Sequence, residues 1–213
     1  MKAWQLENDD GIDALNLVDV EIGDPGPGEV RVKMMTSSIN RRDMNTVLAP
    51  SARNTPLPRI PNSDGAGEVL AVGDKVTEFK PGDRVASCFF KRWHAGRISP
   101  AIMASALGGA EEGMLSEETI LPEGALVHLP EHLNWDEAGT LTCAGVTAWH
   151  GLVARGGLKA GETVLLLGTG GVSIFGLQFA KMMGARVIIT SKSDEKLERA
   201  RELGADETIN YAE

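Results

Sequence analysis

Glu162-Thr-Val-Leu-Leu-Leu-Gly-Thr-Gly-Gly-Val-Ser173 decides the fold. Its first half is a continuous apolar run, the mark of a strand buried on both faces. Its second half is a glycine turn, Gly168-x-Gly170-x-x-Ser173, placed where a strand gives way to a helix. Helical periodicity then runs from Ile174 to Met183 and stops at Gly184. Arg186-Val-Ile-Ile-Thr190 predicts a second buried strand, and Ser193–Leu203 predicts an amphipathic helix closed by Gly204. Glu207-Thr-Ile-Asn210 opens a third strand. Strand, helix, strand, helix, strand implies right-handed parallel crossovers in a doubly wound α/β sheet. Three strands alone would leave wide apolar faces and an open edge, so the chain is expected to be truncated, with further strands of the same sheet beyond it.

The turn also points to a ligand. Gly168 permits a tight bend, Gly170 lets backbone N–H groups approach a pyrophosphate, and the helix N-terminus adds partial positive charge. Gly168, Gly170, Gly171 and Val172 are therefore candidate cofactor-binding residues, the alternative being a purely structural βα turn. Ser173 takes the third glycine position. About 20 residues past such a turn a carboxylate would bind the adenosine ribose of NAD. Here the second strand ends in Thr190-Ser191-Lys192-Ser193, with no acid. A carboxylate about 4 Å from a 2′-phosphate would cost on the order of 4 kcal/mol per unit charge at an effective dielectric of 20. Ser191 and Lys192 offer charge-assisted bonds of about 1.5–3 kcal/mol each. The balance favours NADP(H) over NAD(H), the lesser alternative being that Lys192 is an ordinary solvated lysine. Asp194 and Glu195 are expected to cap the next helix.

Upstream, residues 1–125 read as β-rich and residues 126–213 as the start of the nucleotide domain. Glu29-Val-Arg-Val-Lys-Met34 alternates apolar and charged, and turn residues such as Asp24-Pro-Gly-Pro-Gly28 and Pro81-Gly-Asp83 punctuate short strands. The glycines of Gly65-Ala-Gly-Glu-Val-Leu-Ala-Val-Gly73 are expected to allow close backbone approach. Arg92–Glu118 reads as a long surface loop. Near Leu133 the pattern turns helical, with Asn134 as cap, Asp136 and Glu137 in the first turn, and a run to about Ala154.

Composition narrows the function. A net charge of −9 argues against nucleic-acid or anionic-membrane partners, which need basic patches. Cys88 and Cys143 are the only cysteines of the 213 residues, too few for a disulfide framework or a four-cysteine metal site. With no apolar stretch of spanning or signal-peptide type, a cytoplasmic protein is expected.

Gly168-Thr-Gly-Gly-Val-Ser173, Gln178-Phe-Ala-Lys181, Gly184-Ala-Arg-Val187 and Leu203-Gly-Ala-Asp206 resemble the medium-chain dehydrogenases/reductases. Gly65-Ala-Gly-Glu-Val69, Val72-Gly73 and Lys80-Pro-Gly-Asp-Arg-Val85 resemble the same family's catalytic domain. The resemblance covers essentially the whole chain. It implies a GroES-like catalytic domain, an incomplete Rossmann domain, and a homodimer when full length. Where family alcohol dehydrogenases carry a zinc-binding Cys and a His–Glu pair, this sequence has Asn40 and Ser63-Asp64, and only Cys143 stands at a ligand position. One thiol cannot hold tetrahedral zinc, so no metal is expected. His94, His128, His132 and His150 are scattered without metal-ligand spacing.

Asn40-x-x-Asp43 is similar to the zinc-independent quinone oxidoreductase and enoyl reductase branches, with Arg41 where a tyrosine often follows. In that branch the residue matching Asn40 sits by the nicotinamide and the one matching Thr147 contacts the nicotinamide region, while those matching Lys196 and Tyr211 flank the adenosine phosphate. Read alone, Asn40 could be a turn residue, Asp43 a helix cap, Thr147 a buried helical hydroxyl and Lys196 an exposed charge. Without a Lewis acid, negative charge developing on oxygen must meet hydrogen-bond donors, each worth about 2.7–4 kcal/mol when preorganised. A quinone or α,β-unsaturated carbonyl asks least, because its developing anion is delocalised. Reduction of such a substrate is the expected reaction, with Asn40 and Ser63 as oxygen-side donors and Asp43 as orienting group. The alternatives are a metal-free aldehyde or ketone reductase and a low-turnover NADPH-binding sensor or structural protein.

Overall fold

The computed structural model describes residues 1–212, and the chain divides into two compact units, Met1–Cys143 and Ala144 onward. In the first unit β1 (Lys2–Leu6) pairs antiparallel with β2 (Leu15–Asp19). A second, wholly antiparallel sheet contains β3 (Glu29–Ser38), β4 (Asp64–Val72), β5 (Arg84–Ser87), β6 (Glu118–Pro122) and β7 (Leu126–His128), in the order β6-β3-β4-β5-β7. Three short helices join it: α1 (Arg41–Leu48), α2 (Pro100–Met103) and α3 (Trp135–Ala138). Val30, Val32, Val69, Val85, Leu107 and Met114 form the centre of its core. Each fully buried aliphatic side chain contributes about 1.5–3 kcal/mol.

The β4 glycines behave as their sequence implies. A Cβ on Gly67 would lie 2.1 Å from the Lys33 carbonyl oxygen, and one on Gly65 would lie 2.3 Å from Met34 Cε. Only glycine lets β3 and β4 approach this closely.

Arg92–Glu118 is a surface loop only in its first half: residues 92–104 are largely exposed, whereas the segment from Ser105 packs inward. Ser99 caps α2 by accepting from the Ile102 N–H, and Leu107 bridges Glu111. Ser105, Leu107 and Met114 are buried. The segment turns at Gly108 (φ +65°), and Gly113 stacks directly on the Pro61–Asn62 backbone. Isolated apolar residues in a glycine-rich run carry no period, so their inward packing leaves no trace in the sequence pattern.

Asn134 caps α3 as expected, accepting from Glu137 N at 2.8 Å while Glu137 Oε2 accepts from Asn134 N at 3.0 Å. The expected single helix to Ala154 is instead interrupted. Leu141–Gly145 and His150–Arg155 are π-helical turns on either side of α4 (Val146–Trp149). The Cys143 N–H in the first of these turns is donated to a side chain, Asp64 Oδ2, at 3.1 Å.

In the second unit β8 (Thr163–Leu166), α5 (Gly171–Met182), β9 (Arg186–Ser191), α6 (Asp194–Glu202) and β10 (Glu207–Asn210) follow the predicted alternation. The three strands are parallel in the order β10-β9-β8. Val164, Leu166, Val187 and Ile189 share one face, packed against Leu177 and Ala180 of α5 and Leu197 and Ala200 of α6. Both helices lie over that face, so β8 is not covered on both sides: Leu165 is 58% and Leu167 75% exposed. Among the described residues no helix is long and apolar enough to cross a membrane.

Candidate active site

The glycine turn of the second unit leads from β8 directly into the first turn of α5. Gly168 has φ +79°, a conformation that favours glycine, and Gly170 sits extended as the N-cap of α5. No side chain caps this helix, which leaves its first-turn N–H groups without a side-chain acceptor. A Cβ on Gly168 or Gly170 would touch nothing within 4 Å, so the space above the turn is open. The turn is pinned from β9. Gly168 N donates to Thr190 Oγ1 at 3.1 Å, and the hydroxyls of Thr169 and Ser191 are 3.2 Å apart. Ser173, at the third glycine position, donates its hydroxyl to Leu167 O at 3.0 Å, closing the bend.

Ser191 is buried at the end of β9, where its Oγ also accepts from Ser193 N at 3.3 Å. Lys192 and Lys196 are exposed, and Tyr211 is exposed with its N–H donated to Ser191 O at 3.1 Å. These four residues gather at the carboxyl ends of β9 and β10, the end of a parallel sheet where nucleotides bind. Asp194 is not the cap of α6; Ser193 is, accepting from the Lys196 N–H. Thr147 is exposed on α4, whose Trp149 packs edge-on against Phe179 of α5 with ring centroids 5.4 Å apart.

In the first unit, Asn40 and Ser63 converge on a third residue, Asp64, which is fully buried. Its Oδ2 accepts from Asn40 Nδ2 at 3.0 Å, Cys143 N at 3.1 Å and Ser38 Oγ at 3.5 Å. Its Oδ1 accepts from Ser63 Oγ at 3.3 Å. Burial pushes the Asp64 carboxyl above the ordinary carboxylate range; the Asn40 bond opposes the shift and the nearby Asp43 charge adds to it. No cation pairs with Asp64 among the described residues.

Asp43 is differently placed. Buried in the first turn of α1, it accepts from the Asn40 backbone N–H at 2.8 Å and pairs with Arg42 Nη1 at 3.1 Å. Arg42 also donates to Leu107 O at 2.6 Å and lies 5.0 Å from the Phe89 ring centroid. Ser87 Oγ donates to Ser63 O at 3.2 Å and accepts from Gly65 N at 3.2 Å, fixing both neighbours of Asp64. The Cys143 thiol is pushed up to about 11, first by burial and then by the Asp64 and Asp43 charges. Thr142 Oγ1 beside it is buried without a partner among the described residues.

Neither the place of Asp64 at the hub, nor Ser87 beside it, nor Arg42 behind Asp43 is legible in the sequence pattern. The available signal was the place of Ser63-Asp64 at the family's His–Glu pair, at the opening of a glycine-bearing strand, Asp64-Gly-Ala-Gly-Glu-Val69.

An open glycine turn on a β-α-β-α-β unit, preceded by an antiparallel β domain with a buried polar hub, defines a class. The chain belongs to the medium-chain dehydrogenase/reductase superfamily. The family model described as alcohol dehydrogenase GroES-like domain matches residues 26–131, and the one described as zinc-binding dehydrogenase matches 171–213. A zinc-type alcohol dehydrogenase-like protein of Schizosaccharomyces pombe is 45% identical over 204 residues, covering 94% of this chain and 59% of that protein. The quinone oxidoreductase of Pseudomonas aeruginosa is 37% identical over 205 residues, covering 95% and 56%. The crystal structure of a putative alcohol dehydrogenase from Sinorhizobium meliloti 1021 superposes with a TM-score of 0.92 at 44% identity, covering 99% of this chain and 62% of that one. The chain thus spans about three fifths of the relatives it matches.

Proposed function

We propose that the protein is an NADP(H)-dependent oxidoreductase that passes hydride to a quinone or an α,β-unsaturated carbonyl without a catalytic metal. The observation that carries the cofactor assignment is the open turn at Gly168–Val172, together with a second strand that ends in Lys192 and not in an acid. The uncapped N–H groups of α5 suit a pyrophosphate. Ser191, Lys192, Lys196 and Tyr211 supply hydroxyl and ammonium donors for an adenosine phosphate, and Thr147 is assigned to the nicotinamide region. When bound, NADPH supplies the hydride.

The polar hub of the first unit does not suit zinc. Of its ligand-type residues, Asp43 is committed to Arg42 and the Asn40 N–H, and both oxygens of Asp64 accept hydrogen bonds. Cys143 alone falls short of the three protein ligands a catalytic zinc takes. The Asn40 amide donates one hydrogen to Asp64, which leaves its second without a partner among the described residues. We assign that hydrogen to the substrate oxygen as negative charge forms there. Ser63, expected as a second oxygen-side donor, is buried with its hydroxyl donated to Asp64 Oδ1. Its proposed role, like that of Asp43, is to hold the amide in place, through Asp64 and the Asn40 backbone respectively.

The quinone oxidoreductase relative favours this substrate class. The relatives named for alcohol dehydrogenase favour a second reading, reduction of an aldehyde or ketone by the same residues. The two unbridged cysteines suit a reducing cytoplasm. Pairing into a homodimer, which light scattering would check, belongs to the same reading. Lys192→Asp should cut the NADPH-over-NADH preference about tenfold or more, the equivalent of about 1.4 kcal/mol. Unchanged selectivity would reject the phosphate assignment.

A further inference from the structure

We propose that Asn210 sets cofactor selectivity by latching the Asp194 carboxylate to the end of β10, away from the 2′-phosphate; this rests on the NADP(H) reading above. Asp194 is the first acid after β9, and an acid in this neighbourhood is what reads the ribose hydroxyl in NAD-binding folds. Left free, it would repel a phosphate that carries about −1.5 to −2 charges. It is not free. Its Oδ1 accepts from Asn210 Nδ2 at 2.8 Å. The Asn210 amide is itself oriented, because its Oδ1 accepts from Ala212 N at 3.0 Å and so turns the amino group toward Asp194. Helix capping does not require the carboxylate either, since Ser193 performs it.

The latch lies among the proposed phosphate-binding residues. Asn210 is in register with Ser191 across the parallel pair, and the next residue, Tyr211, donates its N–H to Ser191 O. The ion pairs of this unit use Lys181, Arg186, Arg199 and Arg201. Lys192 and Lys196 are therefore left without an anionic partner among the described residues. One carboxylate tied back and two lysines left open is an arrangement selective for a phosphorylated ribose.

The test is fluorescence titration of the full-length protein with NADPH and, separately, NADH. Asn210→Ala should raise Kd for NADPH about fivefold, the size of one exposed charge interaction, and leave Kd for NADH within about twofold. Adding Asp194→Asn to Asn210→Ala should restore NADPH affinity, because the liberated charge is gone. Asn210→Ser, tested in the same way, covers a failure of the alanine variant to fold. Equal weakening of both cofactors, or no rescue by Asp194→Asn, would overturn the latch and reduce Asn210 to a structural residue. A wild-type protein with no preference for NADPH would instead overturn the underlying cofactor assignment.

Discussion

Asp64 is a buried carboxylate that has hydrogen bonds but, among the described residues, no counter-ion. Its carboxyl is raised in the fold relative to the unfolded chain, so its protonated form is the one folding favours. Its contribution to stability is therefore fully present below the unfolded carboxylate pKa and is lost as pH rises through the folded value. Relative to Asp64→Asn, the wild-type protein should gain stability as pH is lowered from neutral through the acidic range. Paired denaturant melts would show it, and a difference independent of pH would contradict it. Cys143 makes a second prediction. With its pKa near 11, it should resist iodoacetamide at neutral pH, and its alkylation rate should climb steeply between about pH 9 and 11. Rapid labelling of Cys143 at pH 7 would mean that the burial and the Asp64 and Asp43 charges do not act on the thiol as described. Removing the Asn40 amide by Asn40→Ala should lower kcat about a hundredfold or more while leaving NADPH binding intact.

Glycines with opposite roles separate fold from function among the elements. Gly67 sits where β3 and β4 nearly touch, so Gly67→Ala should destabilise the fold by about 1–3 kcal/mol through backbone overlap. Gly170 is extended and faces open space, so Gly170→Ala should change stability by less than about 1 kcal/mol. That substitution should nonetheless weaken NADPH binding, since the added methyl occupies the approach to the α5 N–H groups. Thermal melts and cofactor titrations of the two variants should show opposite patterns. The β8–α5–β9–α6–β10 alternation was readable in advance because each element carries its own period and its own punctuation. The π-turn at Leu141–Gly145 was not, because Asp64, remote in sequence, accepts the Cys143 N–H there. Arg92–Glu118 was opaque for a related reason: Leu107 and Met114 owe their burial to a core assembled from distant strands.

At the scale of the whole molecule, the two units differ in how much of their function the sequence discloses. The residues proposed for the cofactor in the second unit, Thr147 apart, lie within one stretch, from Gly168 to Tyr211, and their order along the chain is the motif. In the first unit, Asn40, Ser63, Asp64 and Cys143 meet only through the folded chain, so Asn40 and the Ser63-Asp64 pair stood out by resemblance while the place of Asp64 between them did not. The family models match both units, and the relatives extend well beyond the length shared here. The proposed reaction takes hydride from NADPH to an activated acceptor, with hydrogen bonds in place of a metal. The most direct measurement is NADPH consumption by the full-length protein with a benzoquinone and an enone, before and after treatment with a strong chelator. The account predicts turnover that chelation leaves unchanged and that NADH supports less well. Turnover that disappears with the chelator and returns only on addition of Zn²⁺ would contradict it.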